Sequence, residues 1–336
     1  MSLVGLGMAA GPETARIQAF LDEARRGRSP SDSGVTITLP PGDDAAAFRV
    51  PTGEQVVVSS DASVEGIHFR REWVTWETIG YRAAAAALSD LAAMAAAPIG
   101  LVVSVALPPE LGIEIASALG RGVGEIAART GAEVLGGDLV ASPGPAFLDV
   151  TVLGRASAPT TRRGARPGDE LWVTGELGGA AAALRDLERG LEPDRTARSV
   201  FDRPSPRIDE ARWLVERVDI RAAIDLSDGL LRDARHVAAA SEVALRIDAD
   251  RVPVATALDG FRQTPAAAKL ALAGGEDYEL LLVVSPGALQ TAAPAFTAAF
   301  DLPLTRIGRV TRGKGVSVDG LEDHGLAGFD HFTCDP

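Results

Sequence analysis

The chain has 336 residues, 46% of them hydrophobic, and a formal net charge of −13 at pH 7. This length accommodates two domains of ordinary size, and the composition is that of a globular protein. The densest basic cluster is the short RRGAR at 162–166. Such an acidic chain offers little to the phosphates of nucleic acid or of an anionic membrane, so neither is predicted as a partner.

The single cysteine, Cys334, excludes a disulfide within the chain, and the first ten residues lack the basic region that begins a signal peptide. Both observations favour a cytoplasmic protein. Residues 91–108 carry no charge, but residues 98–100 (Pro-Ile-Gly) interrupt them. We interpret this segment as a helix end, a turn and a buried strand instead of a membrane span.

In chain order, the first half predicts strands alternating with helices. Helices are expected at 13–26, 75–97 and 109–130, the last with Gly131 as its C-cap. Strands are expected within 34–50 and 54–69, where acidic turns interrupt them, and at 100–108, 132–140 and 146–156. This pattern predicts a sheet covered by helices.

Residues 155–169 are rich in Pro, Gly, Thr and Arg and mark the predicted domain boundary, which gives domains at 1–157 and 158–336. The second half opens on a strand at 170–175 and a Gly/Ala helix, and then has a polar stretch at 190–207. Helices follow at 208–218, 229–241 and around 286–299, and strands near 244–248, 274–284, 305–310 and 315–318. The predicted fold class is therefore α/β (α+β) with two domains.

Acidic residues beside Gly or Ser, flanked by apolar residues, recur at five places. These are GDDAAAF (42–48), SSDAS (59–63), LSDLAAM (88–94), GGDLV (136–140) and IDLSDGLL (224–231). Each alone is ordinary turn chemistry, and Asp228 suits the N-cap of the helix expected at 229–241. Asp233, close to Arg232 and Arg235, is interpreted as an ordinary surface residue.

Asp90 is harder to explain as a turn residue, because it lies within the helix expected at 75–97. The residues that share its face, at positions 83, 86, 87, 94 and 97, are all Ala or Met. An unpaired carboxylate buried on that stripe would be costly. Either the face is exposed to solvent or a positive partner, such as a cation, meets Asp90.

The recurring carboxylates, with the hydroxyls of Ser59, Ser60 and Ser227, form the hard oxygen donor set that Mg²⁺ prefers. One cysteine and four histidines without zinc-ligand spacing exclude a typical zinc site. The chain also lacks the P-loop motif and the motifs of protein kinases. The GRGVGE segment at 120–125 falls inside a helical pattern and is given little weight. The acidic set therefore predicts a Mg²⁺-nucleotide or Mg²⁺-phosphate site suited to phosphoryl transfer.

Taken together, the motifs resemble those of the thiamine-monophosphate kinase family, within the superfamily of aminoimidazole ribonucleotide synthetase and selenophosphate synthetase. The matching segments are GDDAA, SSDASVEGIHF, IGYRAAAAALSDLAAMAAAP, GGD, RRGARPGDELWVTG, RPSPRI, AIDLSDGLLRD, GGEDYEL, IGRV and GFDHF. They run in order across nearly the whole chain, and VEGIHF and GGEDYEL separate the family from the rest of the superfamily.

The resemblance implies a transferase of thiamine biosynthesis that makes thiamine diphosphate from thiamine monophosphate and ATP with Mg²⁺. It implies a homodimer in which the N-terminal ATP- and Mg²⁺-binding domains pair through a barrel-like interface, and a C-terminal α/β domain that completes the site. The implied metal ligands are Asp44, Ser59, Ser60, Asp61, Asp90, Asp138, Asp225 and Asp228, the last two also being the implied catalytic residues. Implied ATP contacts are Gly137, Asp138, Arg162 and Ser227, and implied substrate contacts are His68, Glu276 and Phe329. The role of Asp43 is left open.

Several of these residues also have simpler explanations. Arg162 is a charged fork that suits phosphate oxygens, but it also fits a solvated linker. His68 fits a core histidine, Glu276 a turn residue, and Phe329 either plain packing or stacking on a heteroaromatic substrate. Asp225 and Asp228 either cap a helix or hold a metal.

The sequence departs from the family pattern at some positions. GGDLV has Leu139 and Val140 where the family commonly has two threonines, and Ala87, Ala95 and Arg82 replace the usual Asn, Gly and Lys. All the implied carboxylates are retained. Two alternatives therefore stay open: a related ATP-dependent synthetase with another acceptor, and a non-catalytic Mg²⁺-nucleotide binding protein.

Overall fold

The computed structural model describes residues 12–26, 35–39, 46–261 and 264–320. The predicted ligand Asp44, its neighbour Asp43, the predicted substrate contact Phe329 and the cysteine Cys334 lie outside these residues. The described chain combines helices with mixed sheets, so the predicted α/β (α+β) class is confirmed. It divides into two compact units, one within residues 1–91 and 96–159 and one within 92–95 and 160–336.

The first unit contains three helices and six strands among its described residues. The helices are α1 (Pro12–Ala24), α2 (Trp76–Ala93) and α3 (Ile113–Thr130), and α3 ends at Gly131 in the left-handed conformation, as expected. The strands are β1 (Thr36–Leu39), β2 (Ala47–Arg49), β3 (Gln55–Val64), β4 (Ala97–Leu107), β5 (Glu133–Ala141) and β6 (Phe147–Ala156). The order β3-β6-β4-β5 forms a four-stranded sheet in which only β4 and β5 are parallel.

The two faces of this sheet differ in polarity, because side chains alternate along each strand. Val150 pairs with Val103, and both are buried, so they mark the face that lies against the core. Asp149 pairs with Ser104, which is exposed, and marks the open face. Cross-strand partners share a face, and the register therefore assigns each predicted site residue of this unit to one side of the sheet.

The GRGVGE segment lies within α3, and its glycines serve helix packing. A Cβ on Gly120 or Gly124 would lie 2.3 Å from the carbonyl of Phe20 or 2.5 Å from that of Ala24, both on α1. A Cβ on Gly122 would lie 1.9 Å from the carbonyl of Glu77 on α2. The glycines allow α3 to approach its two neighbouring helices closely.

We expect Gly122→Ala to lower the free energy of unfolding by about 1–3 kcal/mol, because the added methyl group meets backbone atoms that cannot move aside. Urea unfolding measures the change. Gly144→Ala is the matched control, since its Cβ would find only the Ser142 hydroxyl oxygen, at 3.8 Å. Equal unfolding midpoints for the two variants would contradict close packing at α3.

The second unit contains a six-stranded sheet with the order β12-β9-β11-β7-β10-β8. Its strands are β7 (Glu170–Thr174), β8 (Ile220–Asp225), β9 (Ala244–Asp248), β10 (Leu280–Val284), β11 (Leu304–Thr311) and β12 (Gly315–Asp319). Its helices are α4 (Gly179–Glu188), α5 (Arg195–Asp202), α6 (Ile208–Val215), α7 (Leu230–Ser241), α8 (Pro265–Ala273) and α9 (Ala293–Phe300). β8 and β12 are the two edge strands.

Both faces of the second sheet carry apolar side chains. The core cluster includes Ile224, Leu245 and Ile307 of the sheet together with Leu231 and Val237 of α7. On α6 and α9, an aromatic group packs edge to face, with the Trp213 ring centroid 5.8 Å from that of Phe296 and 6.1 Å from that of Phe300. The core cluster therefore packs α7 against β8, and the aromatic group packs α6 against α9.

The structure differs from the predicted elements in a few places. Pro98, Ile99 and Gly100 lie inside β4, and the turn before them is at 94–96. The polar stretch 190–207 contains α5, whose N-cap Asp194 accepts a 2.8 Å hydrogen bond from the Thr196 amide. α8 begins at Pro265 behind the N-cap Thr264 and was also not predicted. Both helices are short and depend on capping, which hydrophobic periodicity does not reveal.

No helix in the described ranges is long and apolar enough to cross a lipid bilayer. Residues 91–108, the uncharged stretch, end α2 and form β4.

Candidate active site

Asp90 faces β3 from the last turns of α2, and its partner is a hydroxyl group. Ser59 Oγ donates a 2.5 Å hydrogen bond to Asp90 Oδ2. A short hydrogen bond to a carboxylate is of the charge-assisted type, which holds both groups in place. Ala83, Ala87 and Ala97 of the stripe are buried, whereas Ala86, Met94 and Asp90 itself are half-buried. Two predicted ligands, Ser59 and Asp90, are therefore brought together.

The other predicted ligands of this unit lie on both faces of the sheet. Asp61 pairs with the buried Val150, which assigns it to the same side as Ser59. Ser60 lies on the open face, where its hydroxyl donates to Asp149 Oδ1 at 2.9 Å and lies 3.1 Å from Thr151 Oγ1. Ser59, Ser60 and Asp61 all lie in the middle of β3, where an acidic turn was expected to interrupt the strand.

Asp149 is a residue that the search for motifs missed, although the sequence carries a signal for it. Asp149 and Thr151 alternate with Leu148, Val150 and Val152, the pattern of a strand with one buried face. Register then places Asp149 directly opposite Ser104, which in turn pairs with Asp138. The open face therefore carries the carboxylates of both Asp138 and Asp149.

The GGDLV segment lies in β5, and the two residues that replace the usual threonines face opposite ways. Leu139 is 6% exposed and contributes to the core, whereas Val140 is 48% exposed. Asp138 Oδ1 accepts a 2.9 Å hydrogen bond from the Leu139 amide. A Cβ on Gly137 would lie 1.9 Å from the Val103 carbonyl, so sheet packing alone requires this glycine.

His68 lies in the turn that follows β3. Its backbone amide donates to the Val64 carbonyl at 2.9 Å, and its Nδ1 accepts from the Val64 amide at 3.1 Å. An Nδ1 that accepts a hydrogen bond leaves Nε2 to carry the proton of the neutral ring. The ring is half-buried, so it is not the core histidine that the simpler explanation assumed.

In the second unit, β8 ends at Asp225 and α7 begins at Leu230, with Gly229 as its N-cap and no side-chain cap. Asp228 is therefore not the helix cap. Its Oδ2 instead lies 3.2 Å from Arg232 Nε one helical turn later. The backbone amide of Asp228 donates to Asp233 Oδ2 at 3.1 Å.

Asp233 is 2% exposed, which corrects its interpretation as a surface residue. Burial, followed by the negative charges of Asp225 and Asp228, raises the pKa of Asp233 to about 8. Arg162 partly offsets this, because its positive charge lowers the same pKa. The structure therefore gathers Asp225, Asp228, Asp233 and Arg162 into one electrostatic cluster.

Glu276 and Ser227 are joined through the backbone of two loops. The Glu276 amide donates to the Ser227 carbonyl at 2.8 Å, and the Tyr278 amide donates to the Leu226 carbonyl at 2.9 Å. Glu276 has φ 67° and Tyr278 has φ 51°, a region that non-glycine residues rarely adopt. Strained backbone of this kind persists where surrounding contacts hold it, often at functional sites.

A buried ion pair holds the loop that carries Glu276. Arg207 Nε donates to Glu279 Oε2 at 2.8 Å, and Arg207 Nη2 also hydrogen-bonds Glu279 Oε1. Thr174 Oγ1 donates to Glu279 Oε2 at 2.6 Å and accepts from the Leu280 amide at 2.8 Å. Burial alone would lower the pKa of Arg207, but the charge and hydrogen bonds of Glu279 raise it above its usual value.

Asp277 fixes the same loop to α4. Both of its carboxylate oxygens accept hydrogen bonds from the Gly178 amide, at 3.0 and 2.9 Å, where α4 begins. Burial raises the pKa of Asp277 well above its usual value. The GGEDYEL motif contains Asp277 and Glu279, and RPSPRI contains Arg207. Neither motif indicates a role for these residues, because their partners are about 70 to 100 residues away in sequence.

The described residues fit magnesium by their chemistry, although they hold no group of three His, Cys, Asp or Glu placed to bind a metal ion. The donors in both units are carboxylate and hydroxyl oxygens, which Mg²⁺ prefers. In the second unit, Asp225, Asp228 and Asp233 lie close enough together to raise the pKa of Asp233, and a cation would stabilise the charged forms of all three carboxylates. Asp44, which the predicted ligand set also needs, lies outside the described ranges.

Comparison with known proteins identifies the family. Residues 42–156 match the model of the AIR synthase related protein N-terminal domain, and residues 166–320 match that of the C-terminal domain. The thiamine-monophosphate kinase of Rhodopirellula baltica is 34% identical over 331 residues, which cover 95% of this chain and 98% of that protein. This chain belongs to the thiamine-monophosphate kinase family.

Solved structures of the thiamine-monophosphate kinase family share the fold. The enzyme from Stenotrophomonas maltophilia K279a is 36% identical, with a TM-score of 0.80 over 90% of this chain and 96% of that one. AaThiL complexed with AMPPCP and TMP is 30% identical, with a TM-score of 0.75 over 86% and 91% of the two chains. The resemblance seen in the motifs is thereby confirmed, and the individual site residues stay predictions.

We expect Glu279→Gln to lower the free energy of unfolding by up to about 3–5 kcal/mol, because the buried guanidinium of Arg207 loses one of its two carboxylate partners and keeps only Glu210, at 3.3 Å, among the described residues. The two side chains are only 17% and 5% exposed. Chemical denaturation measures the loss. Glu216→Gln is the control, since Glu216 is 65% exposed and pairs with an exposed Arg217, so its loss should change stability by less than about 0.5 kcal/mol.

The double variant that also carries Arg207→Met tests whether the charge is the cause. It should recover part of the lost stability, because the guanidinium charge is gone and Glu210, the other partner of Arg207, has a pKa that burial already raises, so it can take up a proton. A double variant less stable than Glu279→Gln by the full effect of Arg207→Met would show that the two residues act independently.

Proposed function

We propose that this protein transfers the γ-phosphoryl group of ATP to thiamine monophosphate and so makes thiamine diphosphate. The observation that carries the proposal is membership of the thiamine-monophosphate kinase family over nearly the full length of both chains. A relative whose structure contains AMPPCP, an analogue of ATP, together with TMP supports the two substrates. The acceptor phosphate is already an anion, so in-line attack needs no general base.

Mg²⁺ is the proposed metal, and the proposed ligands are Asp44, Ser59, Ser60, Asp61, Asp90, Asp138, Asp225 and Asp228. When bound, the ion neutralises charge that develops on the transferred phosphoryl group. The Ser59–Asp90 hydrogen bond and the repulsion of Asp233 by the carboxylates of Asp225 and Asp228 support this proposal. Asp149 and Asp233 lie beside the proposed ligands and hold Ser60 and the Asp228 backbone in place.

The proposed nucleotide contacts are Arg162, Ser227, Asp138 and the backbone of Gly137. Arg162 carries an always-charged fork that can bind two phosphate oxygens, and it lies in the cluster that contains Asp233. The Glu276 amide donates to the Ser227 carbonyl, which fixes the backbone that carries the Ser227 hydroxyl. Leu139 belongs to the core, so its lack of a hydroxyl removes nothing from an exposed site.

His68, Glu276 and Phe329 are the proposed contacts for thiamine monophosphate. The Nε2–H of His68 is a donor suited to a phosphate oxygen, because Nδ1 already accepts from the Val64 amide. Glu276 has a strained backbone conformation and is half-buried. The flat ring of Phe329 suits stacking on a heteroaromatic ring.

The proposed homodimer pairs through the first unit. β3 is an edge strand of the four-stranded sheet and exposes Val56 (47%) and Val58 (60%) on its open face. Exposed apolar side chains on a sheet edge favour association with another chain. The cytoplasmic location stays a prediction.

Incubation with MgATP and thiamine monophosphate should yield thiamine diphosphate and ADP in equal amounts, measured by chromatography of both products. Release of ADP and free phosphate that depends on another acceptor would instead favour the related synthetase. Tight binding of ATP without turnover across acceptors would favour the non-catalytic alternative. Omission of Mg²⁺ should abolish product formation.

Asp225→Asn should reduce kcat by at least about 100-fold while the fold is retained, because loss of a metal-binding charge removes several kcal/mol of transition-state stabilisation. The steady-state rate and the circular dichroism spectrum check the two statements. The control is Asp219→Asn, an exposed carboxylate at the start of the same strand region, which should leave the rate unchanged. Unchanged activity in Asp225→Asn would remove Asp225 from the proposed ligands.

A further inference from the structure

Four arginines surround a small cavity on the six-stranded sheet of the second unit. The cavity measures about 100 Å³. Its lining residues, here called the arginine pocket, are Arg246, Asp248, Arg251, Arg306, Gly308, Arg309 and Asp319. None of them belongs to the proposed active site, and the net charge of the lining is positive in a chain whose own net charge is −13.

A β-bulge creates the arginine pocket. In β11 the register against β7 shifts between Arg306 and Gly308, so both Arg306 and Arg309 face away from the core side that holds Ile307 and Val310. A Cβ on Gly308 would lie 2.2 Å from the Arg246 carbonyl, so the bulge needs glycine at this position. Without the extra residue, one of the two arginines would face the core.

The same register opposes two like charges. Arg309 on β11 pairs directly with Arg246 on β9. Like charges directly opposite each other on one face of a sheet destabilise the pairing of the strands. Asp319 on β12 interacts with both arginines. A hydrogen bond from Arg246 lowers the pKa of Asp319 most, and the charge of Arg309 lowers it further. One carboxylate therefore serves two guanidinium groups.

The remaining arginines are held by their own partners. Arg251 Nε donates to Asp248 Oδ2 at 2.9 Å. Arg306 Nε lies 3.2 Å from Oε1 of the buried Glu170, whose other oxygen accepts a 3.1 Å hydrogen bond from Trp172 Nε1. Arg306 Nε is itself buried and has no partner in hydrogen-bonding geometry among the described residues. These contacts fix the positions of the guanidinium groups before any ligand arrives.

Arg309 differs from the other three. It is exposed, and within the described part of the chain it has neither a hydrogen bond nor an ion pair within 4 Å. An unpaired guanidinium beside a second one, with further donors around a cavity, is an arrangement that suits a planar or tetrahedral oxyanion. The cavity is small beside the roughly 300–1,000 Å³ of ordinary small-molecule pockets, so it suits one phosphate group and excludes a whole nucleotide.

We propose that the arginine pocket binds a phosphate group, as free inorganic phosphate or as the terminal phosphate of a small metabolite. The pocket is distinct from the proposed active site within the second unit. Asp225 ends β8 at one edge of the sheet, whereas the pocket lies on β11, β9 and the opposite edge strand β12. With strands about 4.8 Å apart, four strand spacings place β9 roughly 19 Å from β8.

Isothermal titration of the full chain with inorganic phosphate, at constant ionic strength, tests the proposal. The titration is run first without and then with saturating AMPPCP and Mg²⁺, so that phosphate bound at the proposed nucleotide contacts is recognised by its loss. We expect one phosphate per chain, and at least a fivefold weaker affinity in Arg309→Gln. Arg309→Lys should bind with intermediate affinity, since it keeps the charge but not the fork. Sodium diphosphate in place of phosphate tells whether a terminal phosphate of a larger molecule also enters.

Arg195→Gln is the matched control, because it removes one exposed positive charge from the same unit without touching the arginine pocket, and it should bind phosphate like the wild type. Equal affinities in Arg309→Gln and the wild type would overturn the proposal. So would phosphate binding that disappears when AMPPCP is added, which would place the ion at the nucleotide site only. Failure of the product assay leaves this test intact, since it measures phosphate binding and not turnover.

Discussion

The buried ion pair between Arg207 and Glu279 is the constraint on which the second unit's part of the site depends. The carboxylate of Glu279 joins Arg207 to Thr174, and the backbone carbonyl of Glu279 accepts from the Leu226 amide. Leu226 stands between Asp225 and Ser227 in sequence, so the same few atoms fix β7, the end of β8 and the loop that carries Glu276. A buried pair of this kind adds little net stability compared with a well-packed apolar alternative, because desolvation offsets the attraction. Its value here is that it defines one geometry for a loop that contains strained backbone.

A fixed loop allows charge of one sign to be concentrated. Asp225, Asp228 and Asp233 are held within a small volume by the strand end, the turn and the first turn of α7, none of which can move without breaking backbone hydrogen bonds. The protein resolves part of the repulsion by favouring the protonated form of Asp233, whose pKa is raised by burial and by its two neighbours. A bound cation would instead favour the charged forms of all three carboxylates. In the first unit, the Ser59 hydroxyl holds Asp90 instead, and Ser60 serves Asp149.

Much of this was predictable from the sequence, and the parts that were not share a physical cause. Alternation and helical periodicity predicted the long elements, such as α2, α3 and β6, because their burial patterns repeat within a few residues. The capped helices α5 and α8 were missed, since a single Asp or Thr side chain starts them. Motifs pointed to Asp90 and Asp225. Asp149 lies outside them, and Asp233 and Glu279 lie within them without an indicated role. Those three act through partners on other strands or through burial, which only the fold determines. A helix cap was one of the two explanations for Asp228, and it is wrong because the chain turns first and Gly229 takes the cap position.

The six-stranded sheet of the second unit carries opposite charges toward its two edges. The β8 edge gathers carboxylates, and the β9, β11 and β12 edge gathers arginines. Backbone geometry that does not depend on the charges themselves positions each cluster. A strand-to-helix turn positions the carboxylates, and a β-bulge at Gly308 positions the arginines. Folding alone would favour spreading these charges, since like-charged neighbours repel. Geometry that holds them together against this repulsion is therefore best explained by ligands of opposite charge, a cation at the β8 edge and a phosphate at the other.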